Sequence, residues 1–138
     1  MTKDVLITVS GTQFEVGDEP IELVVPGTYY MKNGKHYIFY EEQGESDAVV
    51  TKNSVKFYDG HFEMTKKGGQ TSCLMFETDK KTSTMYHTIA GPLQIDSTTS
   101  LIDITESEEE ILVNVKYALD INYNYVSDCH VIFKVQAR

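Results

Sequence analysis

The chain has 138 residues, 41% of them hydrophobic and 11% aromatic, and its 12 basic residues against 21 acidic ones give it a net charge of −9. This length and composition suit a single globular domain spanning residues 1–138, with a core that needs no disulfide or metal to fold. Because nucleic-acid binders neutralise phosphates with basic side chains, the acidic balance argues against nucleic acid and against an anionic membrane surface as partners.

Two features of the chain bear on its compartment. Residues 1–4 run directly into a strand pattern, without the apolar core of a signal peptide or the length of a transmembrane span. Cys73 and Cys129 lie inside separate predicted strands, where buried free thiols are common. We therefore expect a cytoplasmic protein without a disulfide.

The first predicted strand covers residues 5–11. Apolar residues alternate there with polar ones, which places Val5, Ile7 and Val9 on one face. This alternation predicts a strand with one buried side.

A β-hairpin over residues 21–42 is the strongest structural signal in the chain. Its turn is Asn33-Gly34, and both residues tolerate positive φ, so a type I′ turn matches the twist of the flanking strands. A two-residue turn also fixes the register between the two arms. It pairs Lys32 with Lys35, Tyr30 with Tyr37, Tyr29 with Ile38, and Gly27 with Tyr40.

Both faces of this hairpin are bulky. One face carries three rings and the other carries four large side chains: Tyr30, Tyr37 and Phe39 against Tyr29, Met31, Ile38 and Tyr40. Such a hairpin is either covered on both sides or presents an aromatic outer wall. The sequence leaves open which of the two faces points inward.

A second hairpin is predicted around Asp59-Gly60, and its register has an internal check. A two-residue turn pairs Phe57 with Phe62 and Val55 with Met64, which collects four apolar residues on one face. The opposite face receives polar pairs. One apolar face and one polar face are typical of a half-buried antiparallel pair.

Residues 72–78 and 82–90 have the pattern of two strands joined by a short turn, and residues 93–101 resume a period of two. In this last segment Ser97 and Thr99 fall in line with the apolar positions Leu93, Ile95 and Leu101. The clearest strand follows over residues 111–121. The final strand places four side chains inward: Cys129, Val131, Phe133 and Val135.

The strand pattern extends over the whole chain, and no window of useful length has helical periodicity. Short strands with hairpin-length links are typical of an antiparallel barrel or a related sandwich. The last strand is long enough to return beside the first and close the sheet, which would remove exposed edges. We predict an all-β fold: one antiparallel barrel of about 8–10 strands with little or no helix.

The sequence contains no recognisable catalytic or metal-binding motif. It has no Gly-x-Ser-x-Gly elbow, and its four histidines occur singly, without metal-ligand spacing: His36, His61, His87 and His130. Because His36 and His61 flank hairpin turns, we expect them to be solvated, and we expect the other two to point outward. We predict no catalytic residue, no metal and no cofactor.

Tyrosines and hydroxyls form the remaining candidate cluster. A barrel of this size holds either side chains alone or one small ligand, so their hydroxyls either satisfy one another in a filled core or orient a ligand. Weighed on the sequence alone, the filled core is favoured over the cavity. The predicted ligand-binding residues are Tyr30, Tyr37, Tyr86, Thr88, Ser97 and Thr99.

A family resemblance extends over nearly the whole chain. It lies in residues 27–30 with Tyr37, Tyr40 and Glu42, in residues 72–76, in Tyr86 with Gly91, Leu93, Ile95 and Thr99, and in the last two strands. On these segments the chain resembles the YwiB-like family of bacterial proteins of unknown function. The resemblance implies a calycin-type, lipocalin-like β-barrel and an intracellular protein, and it supplies no catalytic residue. Calycin relatives mostly bind small, often apolar molecules, which is an analogy of fold alone.

Three hypotheses of function follow from the sequence. The first is non-enzymatic binding of a small, partly apolar molecule in the barrel or at its mouth. The alternative is a protein-interaction module or homodimer that uses the aromatic face of the hairpin over residues 29–40, through an exposed patch of Tyr29, Met31, Ile38 and Tyr40. An enzymatic role comes third, because it needs a perturbed carboxylate or histidine beside a pocket.

Overall fold

The protein is an antiparallel β-barrel that lacks a ladder at one junction. The computed structural model describes residues 3–11, 21–43, 50–68 and 71–138, and within these ranges all regular structure is strand. The all-β prediction is therefore confirmed. The strands are β1 (Asp4–Gly11), β2 (Ile21–Lys32), β3 (Lys35–Gln43), β4 (Val50–Tyr58), β5 (His61–Lys67), β6 (Thr71–Glu77), β7 (Lys81–Thr88), β8 (Gly91–Glu106), β9 (Glu110–Ile121) and β10 (Asn124–Ala137).

The strands lie in one sheet in the order β6-β5-β4-β3-β2-β1-β10-β9-β8-β7. The first and last strands pair antiparallel, from Val5 opposite Ala137 to Gly11 opposite Val131. The predicted return of the last strand beside the first is thus confirmed. Because β1 and β10 are both paired on two sides, the two ends of the chain leave no exposed edge there.

β6 and β7 follow one another in the chain but share no ladder among the described strands. The Oγ1 hydroxyl of Thr84 donates to the Cys73 carbonyl at 2.9 Å, and the Thr82 hydroxyl donates to the Met75 carbonyl. The turn between the strands is tied to β8 instead, since the Thr99 amide donates to the Lys80 carbonyl at 3.1 Å. Threonine hydroxyls therefore replace part of the missing backbone ladder at this seam.

The register of the β2–β3 hairpin matches the prediction at every pair from Lys32–Lys35 to Gly27–Tyr40. Asn33 and Gly34 have φ values of 54° and 75°, as a type I′ turn requires. Gly27 is needed for close packing: a Cβ there would lie 2.3 Å from Ile7 Cδ1 and 2.7 Å from the Phe39 carbonyl oxygen.

The β4–β5 hairpin also has the predicted register, with Phe57 opposite Phe62 and Val55 opposite Met64. These four side chains are buried. On its other side β4 pairs with β3 and places His36 opposite Phe57. The two hairpins thereby form one continuous wall of the barrel.

Aromatic rings fill the middle of the barrel. Phe57 and Phe62 stack at 6.0 Å between ring centroids, and Phe133 from β10 meets Phe62 edge-on at 5.6 Å. The ring centroids of Phe76 and Tyr117 are 4.6 Å apart. These contacts join β4, β5, β6, β9 and β10 across the interior. The core is therefore a packed one in this region.

One strand departs from the predicted alternation. The β8–β9 register shifts between Thr99 and Leu101, so Ser100 forms a bulge and reverses the faces of β8. The prediction that Leu101 points inward was therefore wrong, since its side chain is 39% exposed. Beyond the bulge Ile102 and Ile104 pack against the core instead.

Candidate functional site

The structure separates the predicted ligand-binding residues into an inner and an outer group. Ser97 and Thr99 are buried inside the barrel, and the Thr99 Oγ1 atom has no hydrogen-bond partner. Tyr86 is half-buried and packs against the core. Thr88 pairs with Gly91 at the end of β7, and its side chain lies outside the described part of the structure.

Tyr30 and Tyr37 belong to the outer group. Both lie on the outer wall, where the Tyr30 ring is 44% exposed. A ligand inside the barrel would therefore not contact these two rings. The opposite face of the hairpin points inward because the side-chain-free Gly27 allows β1 and the Tyr40 ring to pack closely there.

The patch invoked for protein interaction is not on the surface. Tyr29, Ile38 and Tyr40 are 8%, 0% and 5% exposed, and only Met31, at 55%, is open to solvent. The exposed aromatic face of this hairpin is the one that carries Tyr30 and Phe39. The exposed patch of Tyr29, Met31, Ile38 and Tyr40 that would have supported the interaction hypothesis is therefore not present.

A cleft opens in the barrel wall where β2 and β3 part. Their ladder ends at Gly27–Tyr40, while β2 continues beside β1 and β3 continues beside β4. Pro26 is the residue immediately before Gly27 in β2, and it has no N–H with which to extend the ladder. The opening, here called the wall cleft, is about 570 Å³ and is lined in part by Val25, Pro26, Tyr40, Glu41, Lys52 and Asn53.

Asn53 is the unusual residue of the wall cleft. It lies in phase with Val55 and Phe57 on the inner face of β4, and its side chain is only 2% exposed. Its Nδ2 atom makes one long contact, 3.5 Å from the Thr51 carbonyl, and its Oδ1 atom has no partner. A buried amide oxygen without a partner costs about 1–3 kcal/mol, so this group requires an explanation.

The rest of the lining is mixed in polarity. Val25, Pro26 and the Tyr40 ring supply apolar surface, and Glu41 lies opposite Lys52 across the β3–β4 ladder, with both side chains exposed. The cleft therefore has an apolar wall, a charged rim and one buried hydrogen-bond acceptor. Ligand pockets commonly combine these features.

A second polar arrangement centres on His36, which the sequence predicted to be solvated. That prediction was wrong: His36 is 5% exposed and stacks on Phe57 at 4.7 Å. Its Nδ1 atom lies 2.8 Å from the Tyr29 hydroxyl, and its Nε2 atom lies 3.0 Å from Glu106 Oε1. Because β3 and β8 are not neighbours in the sheet, this contact ties opposite walls of the barrel together.

The protonation states in this group agree with one another. Burial lowers the pKa of His36, against the smaller opposing effect of the Glu106 carboxylate. Burial raises the pKa of the Tyr29 phenol, and Glu106 raises it further. A neutral imidazole with its proton on Nε2 satisfies both contacts: Tyr29 donates to Nδ1, and Nε2 donates to Glu106.

A polar cleft of about 390 Å³ adjoins this group and is lined in part by Asp59, Asp103 and Glu106. Glu106 is half-exposed at this cleft, and Tyr29 is buried on the other side of the His36 ring. Both ring nitrogens of His36 are already engaged within the chain. Its clearest role is therefore to hold β2, β3 and β8 together at this mouth.

His61 is also buried, at 7% exposed, and its prediction as solvated was likewise wrong. It lies on the outer side of β5, covered by the Tyr58 ring at 4.6 Å. Its Nδ1 atom is 3.3 Å from Glu77 Oε1, and its Nε2 atom is 3.5 Å from Glu63 Oε1. His130 is half-buried on the outer wall, and the side chain of His87 lies outside the described part.

His36 and Asn53 were missed although the sequence contained a usable signal. Each lies two residues from an apolar position of its own strand, His36 from Ile38 and Asn53 from Val55. Strict alternation would therefore have placed both side chains inward. Glu106 offered no such signal, because it follows the bulge in β8 and meets His36 only across the barrel mouth.

The described residues offer few side chains that could hold a metal or cofactor. Within residues 3–11, 21–43, 50–68 and 71–138, no group of three or more His, Cys, Asp or Glu side chains is arranged to hold a metal ion. Cys73 and Cys129 are free thiols. Over the same ranges, no helix has the length and apolarity needed to cross a membrane.

Comparison with known proteins agrees with this architecture. The chain is 28% identical over 103 residues to the uncharacterized beta-barrel protein YwiB of Bacillus subtilis (strain 168), which covers 75% of this chain and 71% of that protein. It also matches the crystal structure of the ywiB protein from Bacillus subtilis with a TM-score of 0.79 and 21% identity, over 99% of this chain and 92% of that chain. This second likeness concerns the fold alone.

The family assignment rests on most of the chain. Residues 7–132 match the model of the family described as Domain of unknown function (DUF1934). The predicted resemblance to the YwiB-like proteins is thus confirmed, and the chain belongs to the DUF1934 family of β-barrel proteins.

Proposed function

We propose that the protein binds a small, partly apolar molecule in the wall cleft, without catalysing a reaction. The observation that carries this proposal is Asn53, which lines the wall cleft, is 2% exposed and has a buried Oδ1 atom without a partner. Rotation of the Asn53 side chain toward the cleft on binding would bring this oxygen to an N–H or O–H group of the ligand, which would compensate its burial. The free thiols of Cys73 and Cys129 support a reducing compartment, and we infer that the protein works in the cytoplasm.

The lining defines the chemistry of the ligand. Its apolar part would pack on Val25, Pro26 and the Tyr40 ring, and its donor group would reach Asn53. Lys52 and Glu41 at the rim would contact a polar end that stays in water. We favour this site over one inside the barrel, because aromatic rings pack the middle of the barrel and Tyr30 and Tyr37 lie on its outer wall.

Native mass spectrometry of protein purified from its own host tests the proposal. We expect the wild type to carry a small molecule that leaves on denaturation, and Asn53→Leu to be bare. Leucine has the same number and branching of side-chain heavy atoms as asparagine and removes the unpaired oxygen, and the adjoining cleft leaves room for its larger methyl groups, so the variant should remain folded. A bare wild type would contradict the proposal.

Thr99→Val is the matched control. It also removes a buried hydroxyl oxygen without a partner, but Thr99 lies in the interior and does not line the wall cleft. We expect this variant to retain the bound molecule. Equal loss from both variants would indicate a ligand that depends on the interior hydroxyls instead.

A further inference from the structure

The outer surface of β2, β3 and β4 combines exposed rings with lysines. Sheet pairing gathers them from separate parts of the sequence: Tyr37 lies opposite both Tyr30 and Lys56, for example. We call this surface the lysine–aromatic face. Its members are Tyr30, Tyr37 and Phe39 with Lys3, Lys32, Lys35, Lys52 and Lys56.

The lysines of this face lack ion pairs within the described residues. None of the five has a carboxylate oxygen within 4.0 Å, and the lysines that form such pairs, Lys80 and Lys81, lie beyond β6. The same outer wall carries four carboxylates among the described residues, Asp4, Glu22, Glu41 and Glu63, of which Glu41 lies opposite Lys52 and Glu63 lies opposite Lys56. The whole chain has 12 basic residues against 21 acidic ones, so among the described residues this surface has a small positive excess where the chain as a whole is acidic.

Lysines also oppose one another across the strands. Lys32 pairs with Lys35 at the end of the β2–β3 hairpin, and Lys52 pairs with Lys67 between β4 and β5. Like charges directly opposite on a sheet are destabilising. Because Glu41 lies on the other side of Lys52, the Lys32–Lys35 pair is the one whose repulsion an anionic partner would offset.

The rings of this face favour a polypeptide over a nucleic acid. Tyr30 and Phe39 are each 44% exposed and meet edge-to-face at 5.9 Å. Lys3 lies 5.2 Å above the Tyr30 ring, and Lys56 lies 5.8 Å from the Tyr37 ring. Stacked bases need parallel and open ring faces, whereas Tyr30 and Phe39 meet at 69° and Lys3 lies over the face of Tyr30. The exposed Phe39 ring and the edge of the Tyr30 ring therefore suit the smaller aliphatic side chains of a peptide better than stacked bases.

We propose that the lysine–aromatic face binds an acidic polypeptide segment of a partner protein. Carboxylates of the segment contact Lys3, Lys32 and Lys56, and its apolar side chains rest on Tyr30 and Phe39. The contact lies on the outer wall next to the wall cleft, and Phe39 and Lys52 border both sites. This contact uses the hairpin face that carries Tyr30 and Phe39. The sequence had suggested the opposite face, which carries Tyr29, Met31, Ile38 and Tyr40.

Fluorescence anisotropy with the full chain tests this proposal. The probe is a fluorescein-labelled oligoglutamate peptide with leucine at every third position. We expect saturable binding that weakens roughly ten-fold in the double variant Lys3→Glu, Lys32→Glu, since reversing charges at an interface changes attraction to repulsion. The matched control is Lys116→Glu, Lys134→Glu, which changes the net charge equally on the β9–β10 wall and should bind like the wild type.

Three results would overturn the proposal. The first is that the wild type does not bind the peptide. The second is that the control variant loses as much affinity as the double variant. The third is that the wild type binds a single-stranded RNA oligonucleotide more tightly than the peptide. Phe39→Ser separates ring contacts from charge because it changes no ionic group. We expect this variant to bind the leucine-containing peptide more weakly than the wild type does, and to bind a leucine-free oligoglutamate with unchanged affinity.

Discussion

The two sides of the barrel have backbone ladders in common but differ in the side chains that they bury. On the β2–β5 side, here called the apolar wall, stacked rings such as Phe57 and Phe62 fill the interior. The β7–β8 pair, here called the polar wall, buries a carboxylate: Asp96 is 1% exposed, and Ser83 Oγ donates to its Oδ1 atom at 2.5 Å. The comparison shows that a barrel with an apolar core can bury a carboxylate where a neighbouring strand supplies a donor.

The apolar wall should show the largest effect of a single substitution. Phe57 is fully buried and contacts His36, Phe62 and Phe133. We expect Phe57→Ala to lower the free energy of unfolding by about 3–5 kcal/mol, because a large cavity is left between ordered rings. Urea denaturation measures the change, and Lys56→Ala, one residue away on the outer side, should stay within about 0.5 kcal/mol.

The polar wall should show a smaller effect that depends on pH. The hydrogen bond from Ser83, followed by those from Gln94 and Lys81, lowers the pKa of Asp96 below its ordinary value of 3.8. This stabilisation is present above pH 3.8 and is lost as the pH falls through the lower folded-state pKa. We expect Ser83→Ala to lower the free energy of unfolding by about 1.5 kcal/mol at neutral pH.

The same variant also raises the folded-state pKa of Asp96 toward 3.8, so its loss of stability on acidification should be smaller than in the wild type and should be complete at a higher pH. Denaturation curves across the acidic range measure this shift. Ser100→Ala, which removes a surface hydroxyl bonded to the Lys116 carbonyl at 3.2 Å, is the control. An equal effect of both substitutions would contradict a special role for Asp96.

His36 adds a pH dependence to the apolar wall. Burial lowers its pKa below the ordinary value of 6.5, so below that pH the unfolded chain binds more protons than the folded one. Stability should therefore rise with pH up to about 6.5 and then level off, with a slope of at most about 1.4 kcal/mol per pH unit from this one group. We expect His36→Gln to reduce this slope, and an unchanged slope would exclude His36 as its source.

Thr99 should show the smallest effect, and with the opposite sign. Its Oγ1 atom is buried without a partner, so Thr99→Val removes an uncompensated polar group at nearly constant volume. We expect the free energy of unfolding to stay constant or to rise by up to about 1 kcal/mol. A clear loss of stability would indicate that the Thr99 hydroxyl has a partner in solution, such as an ordered water.

Prediction from sequence succeeded where local chemistry decides structure. Asn33-Gly34 and Asp59-Gly60 each set a two-residue turn, and every pair derived from them is present. Alternation in the long strand β9 correctly placed Val113, Val115 and Tyr117 in the core. These features depend on residues that are close in the chain, so the sequence carries them directly.

The candidate sites were harder to predict because they depend on where ladders stop. The wall cleft exists because β2 and β3 part beyond Gly27 and Tyr40, and only then does Asn53 face an opening. The bulge at Ser100 likewise reverses the faces of β8, which no alternation pattern reveals. Such interruptions arise from competition between neighbouring strands for backbone partners.

By itself the sequence determined the all-β class, the registers of two hairpins and the alternation of the long strands, because turn chemistry and a period of two act locally. The tertiary structure decided which hairpin face is buried and which lysines share a wall. It also brought His36 and Glu106 to within 3.0 Å of each other. Those outcomes require closure of the sheet, which brings together residues from distant strands and assigns every side chain to the inside or the outside of the barrel.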